Sequence, residues 1–369
     1  MFRNILAQEK AISILEHAIE NNRIANSYLF YGPEGVGKFS TAHLFGMALN
    51  CTSTAEKRPC GICNSCQKFL NFNHADFIFV FPTPNLDISL EGKIKSNKML
   101  EEHKAYIENK KSDAWKEFFF SANTNIRIGS IRYLEHRISL SPNEGKYKVY
   151  IIEDAHEMTI QAANAFLKTL EEPPSDTVII LTTSKPNSLL PTILSRCQQI
   201  PFRSIPKKMI EDKLAENPDL DDVEAKMYAR IANGSLEKAL RLADEGRIQS
   251  REKTLELIKM VLAKDDLKFI EFAAGYRSSK SSNILSEIIS HLIIWITDIS
   301  YFQNYPDEII NLDKPDLLEA LYEMNPNIDD YATDFIEHLE MMQKKIEGHV
   351  NPELIIINIY NKLSDLFRK

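Results

Sequence analysis

Gly32-Pro33-Glu34-Gly35-Val36-Gly37-Lys38 fits the pattern G-x-x-x-x-G-K. Glycines at these places let backbone N–H groups curl around phosphate oxygens, the helix that follows adds its positive N-terminal end, and the lysine reaches the outer phosphates. The next position calls for a serine or threonine whose hydroxyl binds Mg²⁺, and here it is Phe39. Ser40 stands one place further on, turned ~100° around the helix, so it does not simply substitute. Gly32, Gly35, Gly37, Lys38 and Ser40 therefore make a degenerate nucleotide site. Two readings stay open: a weak phosphate loop, or a turn that only keeps its shape.

Two further constellations carry chemistry. Val149-Tyr150-Ile151-Ile152-Glu153-Asp154 is an apolar strand ending in two carboxylates. In a nucleotide-hydrolysing site one such acid holds the water shell of a metal and the other polarises the attacking water. The second constellation is Cys51, Cys60, Cys63 and Cys66, spaced C-x8-C-x2-C-x2-C. Two overlapping C-x-x-C steps bring three sulfurs to one point and Cys51 closes a tetrahedron, which predicts a structural Zn²⁺ site. Reduced cysteines without metal, or an iron–sulfur cluster, are the alternatives; nothing in the sequence suggests redox work.

These groups need elements to hold them. Residues 5–22 read as an amphipathic helix, Ser27 to Tyr31 as a strand and Thr41 to Leu49 as a helix. Strand, glycine loop, helix is the opening of a nucleotide-binding α/β domain. Phe77 to Phe81 is a second strand, ended by Pro82 and Pro84. Then come a helix over Ile128 to Leu140, a strand over Val149 to Ile152, a helix over Ile160 to Leu170 and a strand over Val178 to Thr183. Strands alternating with helices predict a largely parallel sheet covered on both faces. Residues 85–120 carry seven lysines and seven acids, a balance that predicts an exposed helical insertion. From about 204 the strands vanish. The expected domains are 1–203, with a zinc module at 51–66 and the insertion at about 85–120; a small helical domain at 204–245; and a second helical block at 246–369.

Bulk composition sets limits. At ~100–200 residues per domain, 369 residues suggest two or three domains. Net charge is -8, whereas a freely acting DNA binder usually carries a basic surplus. No apolar run is expected to reach the ~18–20 residues of a membrane span: Ile289 to Ile296 is interrupted by Ser290 and His291 and followed by Asp298. Met1-Phe2-Arg3-Asn4 is not the start of a signal peptide. A cytoplasmic location is expected.

Taken together these pieces resemble the clamp-loader branch of AAA+ proteins, over most of residues 1–240. Asn22-Arg23-Ile24-Ala25-Asn26-Ser27-Tyr28-Leu29-Phe30-Tyr31-Gly32 resembles that family's lead-in to the phosphate loop, and the four cysteines stand where it inserts a zinc finger. Asn164-Ala165-Phe166-Leu167-Lys168-Thr169-Leu170-Glu171-Glu172-Pro173-Pro174 is similar to a family hallmark. Thr182 and Thr183 match the sensor-1 region, Thr183 being the candidate nucleotide contact. Leu194-Ser195-Arg196-Cys197 matches the Ser-Arg-Cys motif, and Gly234-Ser235-Leu236-Glu237-Lys238-Ala239-Leu240 matches the sensor-2 helix.

The resemblance implies an AAA+ P-loop domain, a small helical lid and a C-terminal helical collar in which Asn351-Pro352-Glu353-Leu354 opens the closing helix. It implies that Arg196 acts in trans, as an arginine finger on the ATP of an adjacent subunit, and that Cys197 is a small buried residue. Glu153–Asp154 reverses the family's usual Asp–Glu order and makes a degenerate Walker B pair. Glu237 stands where hydrolysing gamma/tau subunits resemble Gly-Ser-Leu-Arg. With Phe39, these departures resemble the delta-prime type of subunit, a stator that keeps the outgoing finger and has lost its own ATPase. Zinc is then the implied cofactor and ATP with Mg²⁺ is disfavoured. The implied partners are the gamma/tau and delta loader subunits and, through the complex, the sliding clamp and primer-template DNA, with no membrane. A gamma-type ATP-hydrolysing subunit is the alternative. A AAA+ protein outside replication, such as a helicase or regulator, is a third reading.

Overall fold

A parallel sheet covered on both faces needs short strands that are apolar on both sides, and four of the five strands here have that character. In the computed structural model they are β1 (Ser27–Tyr31), β2 (Phe77–Val80), β3 (Lys148–Ile152) and β4 (Thr177–Thr183); β5 (Gln198–Pro201) buries only Ile200. The structure describes all residues except 1, 3, 4, 55–57, 116, 117, 119, 246–248, 279, 280, 349, 368 and 369. Parts of the expected signal-free N-terminus, zinc module, insertion and last helical block thus lie outside the described residues.

All four strand pairings are parallel, in the order β2-β3-β4-β1-β5. The glycine loop follows β1, the two carboxylates follow β3, and Thr182 and Thr183 end β4. Three adjacent strands thus deliver their C-terminal ends to one crevice, where ligands of open α/β sheets bind. β5 has no forerunner in the sequence reading, because its Gln198 and Gln199 hide any apolar run.

The helices of this part are α1 (Glu9–Glu20), α2 (Lys38–Asn50), α3 (Asn64–Leu70), α4 (Asn97–Ser112), α5 (Ile128–Ile138), α6 (Ile160–Glu171) and α7 (Pro191–Leu194). α1 begins later than the expected helix over 5–22, since Ala7 takes a positive φ of 56°. α2 is buried at 11 of its 13 residues, because it lies against β1, β3 and β4 and is also flanked by α1 and α3. Thr159 caps α6 by accepting the Ala162 N–H at 3.3 Å. Ile131, Leu134 and Ile138 of α5 pack with Phe166 and Leu170 of α6 in the core on one sheet face.

After the sheet come α8 (Lys207–Leu214), α9 (Asp222–Ile231), α10 (Leu236–Glu245), α11 (Gln249–Ala263), α12 (Asp266–Ala274), α13 (Ser282–Tyr301), α14 (Pro315–Met324), α15 (Asp329–Glu347) and α16 (Pro352–Phe367). The chain forms two compact units. One comprises Met1–Ile210 with Ala232–Arg241, the other Glu211–Ile231 with Leu242–Lys369. The segment 204–245 is therefore divided between them.

Among its described residues the second unit has helices and no strands. α13 is its spine, with Leu285, Ile288, Ile289, Leu292, Trp295, Ile296 and Ile299 in the core. The 20 residues of α13 are, by length and composition, long enough and apolar enough to cross a membrane, contrary to the expectation that no run would reach that length. Here they fill the core of a helical unit. Buried Asp298 on this helix accepts N–H groups of Ile310 at 2.9 Å and Asn311 at 2.7 Å, which ties down the connection before α14.

Candidate functional site

The loop between β1 and α2 has the backbone its glycines predict. Gly35 and Gly37 hold φ of 66° and 94°, where an L side chain is strained. At Gly35 a Cβ would also lie 2.0 Å from the Ser235 Oγ, so this glycine admits the start of α10 against the loop. There the Leu236 N–H donates to the Gly35 carbonyl at 2.9 Å. The Ser184 hydroxyl, just past β4, donates to Glu34 Oε1 at 3.0 Å.

Lys38, the expected phosphate lysine, is 7% exposed. Its ammonium donates to the Gly32 carbonyl at 2.9 Å and to the Pro33 carbonyl. The group that would grip outer phosphates is thus turned onto the loop's own backbone. Burial pulls its pKa down, opposed by Asp154, Glu34 and Glu237. A cavity of about 500 Å³ adjoins the loop, lined by Gly35, Gly37, Lys38, Ser40, Glu153 and Asp154 of the expected set. Thr182 lines it as well; Thr183 does not. Thr183 is fully buried and bonds to His156 Nδ1 at 3.1 Å, while Thr182 Oγ1 accepts the Asp154 N–H at 3.2 Å.

The insertion corrects the sequence reading. Much of α4 is exposed, but Tyr106 and Lys110 are buried at 9% exposure each. Lys110 Nζ lies 3.1 Å from Glu153 Oε1, and the Tyr106 hydroxyl donates to Glu153 Oε2. Phe39 packs against Phe79 at 4.8 Å between centroids, and the Lys110 ammonium stands 5.1 Å from the Phe39 ring centre. Tyr106 stacks on Phe81 at 4.1 Å and meets Phe118 and Phe120. The aromatic end of the insertion thus seats α4 on side chains of the edge-strand region, beside the crevice.

Electrostatics follow from this docking. Burial pulls the Lys110 pKa down, but Glu153 and Glu237 outweigh it and the net shift is upward. Tyr106 is pushed well above its ordinary range, by burial first and then by Glu153. Asp154 is raised to about 7, by burial and then by the Glu153 charge. A raised carboxyl pKa means that this group holds a proton in the native chain that it has lost in the unfolded chain, so its contribution to stability falls as pH climbs from about 4 to about 7. Asp154→Asn is expected to flatten this slope and to stabilise the chain by on the order of 2 kcal/mol at pH 8, with little change at pH 4. Thermal melts of both chains across that range check it; equal slopes would refute the shift.

The residues do not fit a divalent metal at this site. Phe39 brings no oxygen, and both oxygens of Glu153 are engaged by Lys110 and Tyr106. At the outer face, Arg196 pairs with Glu171 and donates to the Thr192 carbonyl at 2.8 Å. Cys197 is buried, and burial lifts its thiol pKa to about 12.

The four cysteines do fit a metal. Their sulfurs all lie within 4.8 Å of one another, with Cys60–Cys66 at 3.9 Å and Cys63–Cys51 at 4.0 Å. A tetrahedron of Zn–S bonds of ~2.3 Å has edges of about 3.8 Å. Backbone N–H groups of Cys60, Cys63 and Cys66 point at the sulfurs of Cys51, Cys60 and Cys63 at 3.4, 3.4 and 3.5 Å, which favours thiolates. Cys51 ends α2 and Cys63 caps α3, so an ion held by these four would join the two helices.

Residues 7–206 match the family model described as DNA polymerase III, delta subunit. The chain belongs to the DNA polymerase III clamp-loader family. It is 30% identical to the DNA polymerase III subunit delta' of Bacillus subtilis over 254 residues, covering 69% of this chain and 65% of that one. It is 29% identical to the tau subunit of the same organism over 249 residues, covering 66% and 37%. The Escherichia coli tau subunit is 28% identical over 253 residues, covering 66% and 32%. The chain thus spans less than two thirds of each of these relatives. A gamma-subunit-related protein of DNA polymerase III from Thermotoga maritima shares the fold, with a TM-score of 0.50 at 17% identity over 97% of this chain and 100% of that one. The family's AAA+ architecture is therefore the one this sheet and its helices adopt.

Tyr106, Lys110, Trp115, Phe118, Lys185 and Arg241 also line the cavity, and sequence reasoning assigned none of them. The one signal was the aromatic end of the insertion, which does not say where the segment docks.

Proposed function

We propose that this chain is a delta-prime-like, non-hydrolysing subunit of a bacterial DNA polymerase III clamp loader. In this reading it works in the cytoplasm, assembled with gamma/tau and delta subunits, and lends Arg196 to a neighbour's ATP while the sliding clamp is placed on primer-template DNA. Residues 204–245 serve as its lid and 246–369 as its collar. The four cysteines hold zinc, which ties down a surface module and takes no part in the reaction.

The observation that carries this reading is the state of the chain's own crevice: Glu153 is tied to Lys110 and Tyr106, and Phe39 replaces the hydroxyl. A guanidinium presented at the surface beside Ser195 fits the outgoing role, being planar, always charged and able to grip phosphate oxygens. A gamma-type subunit has in its favour only the intact glycine pattern of the loop and the tau relatives. The test is ATP turnover by the purified, zinc-loaded chain. The expected result is no Mg²⁺-dependent hydrolysis above background. Substantial turnover that Lys38→Ala abolishes would put the gamma-type reading in its place.

A further inference from the structure

We infer that Lys110 is a tethered cation which takes the place of a divalent metal at the end of β3, and that the insertion is thereby a lock on the chain's own nucleotide crevice. The argument begins with Glu153. It is 8% exposed, and a buried carboxylate requires a compensating charge and hydrogen bonds. In a metal-bound site the ion and its waters supply them. Here Lys110 Nζ supplies the charge at 3.1 Å and the Tyr106 hydroxyl the hydrogen bond, on the two different oxygens.

Phe39 makes this arrangement self-consistent. A hydroxyl at that position would compete for an ion, whereas the phenyl ring offers its face to the lysine ammonium. Trp115, just beyond α4, closes on the loop itself: a Cβ on Gly37 would come 3.0 Å from its ring. A divalent ion could reach Glu153 only if Lys110 gave up Oε1 or Tyr106 gave up Oε2. The inference concerns the same crevice as the non-hydrolysing reading and explains it in physical terms, but it does not depend on the role of Arg196.

The experiment uses the full, zinc-loaded chain, titrated with Mn²⁺ and ATP and followed by the paramagnetic resonance of free Mn²⁺ and by calorimetry. The wild-type chain is expected to show no Mn²⁺-dependent nucleotide binding up to millimolar concentrations. The double variant Phe39→Thr with Lys110→Ala restores a hydroxyl and releases Glu153. It is expected to gain Mn²⁺-dependent ATP binding at least roughly tenfold tighter than wild type. A folded double variant that still ignores Mn²⁺, or a wild-type chain that binds Mn²⁺–ATP as tightly as the variant, overturns the lock. Tight wild-type binding without turnover would do so while leaving the stator reading in place; turnover would remove both. Hydrogen exchange gives a second route if the double variant does not fold. Glu153→Gln is expected to speed exchange of the α4 amides around Tyr106 to Lys111 by roughly tenfold or more, with α13 unchanged. Unchanged α4 exchange would equally overturn it.

Discussion

Replacing Arg196 with alanine is expected to leave this chain folded and, in the role proposed for it, to cut ATP hydrolysis on a neighbouring subunit by roughly 10³-fold or more. The physical basis is the setting of the side chain. It is 30% exposed and pairs with a Glu171 side chain that is 49% exposed. An ion pair this open to water contributes little, typically ~0–1 kcal/mol, so losing it does not threaten the fold. In the proposed role, the same weakness would let an incoming polyphosphate take the guanidinium from Glu171. Arg196→Lys should recover only part of the rate, because an ammonium keeps the charge and loses the two-pronged geometry. Glu171→Gln should leave hydrolysis close to normal if Glu171 merely parks the finger. The measurement is single-turnover ATP hydrolysis by a loader reconstituted with each variant. A reconstituted loader carrying Arg196→Ala with an unchanged rate at every site would end the proposed role.

With zinc held by the four cysteines as proposed, its loss is the second large effect expected. Cys51 and Cys63 sit at the facing ends of α2 and α3, and Phe69 of α3 is fully buried against His74 and Phe77. Releasing such an ion would free four sulfurs that have no other covalent tie and loosen the docking of α3. Because metal binding and local folding are coupled, Cys63→Ser should drop zinc content from one per chain to near zero. It should destabilise the first unit by roughly 3 kcal/mol, or about 6–12 °C in melting temperature for a unit of this size. Chelation of the wild-type protein should reproduce the shift, and added Zn²⁺ should reverse it. Stoichiometric zinc in Cys63→Ser, with an unchanged melt, would show that the four cysteines are not the ligand set.

These expectations draw on two kinds of information. The glycine loop, the cysteine knuckle and the buried strands were legible in the sequence, because each is specified by near neighbours in the chain, whereas Ser195-Arg196-Cys197 stood out only through its resemblance to a family motif. A positive φ needs glycine, a tetrahedron of sulfurs needs close spacing, and a strand covered on both faces needs an unbroken apolar run. The substitutions at Phe39, Glu153–Asp154 and Glu237 were also visible there, as departures from chemistry the loop would need. Only the tertiary structure decided what fills the crevice. Tyr106 and Glu153 are 47 residues apart in the chain, and no periodicity in the charge-balanced insertion marks its buried edge. Whether Thr182 or Thr183 faces the cavity was decided by the pleat of β4, which sends adjacent side chains to opposite faces. β5, with two glutamines at its start, became a strand through pairing with β1 and not through its own composition. Long-range packing of aromatic rings, and the need of one buried carboxylate for a cation, settled what local pattern left open.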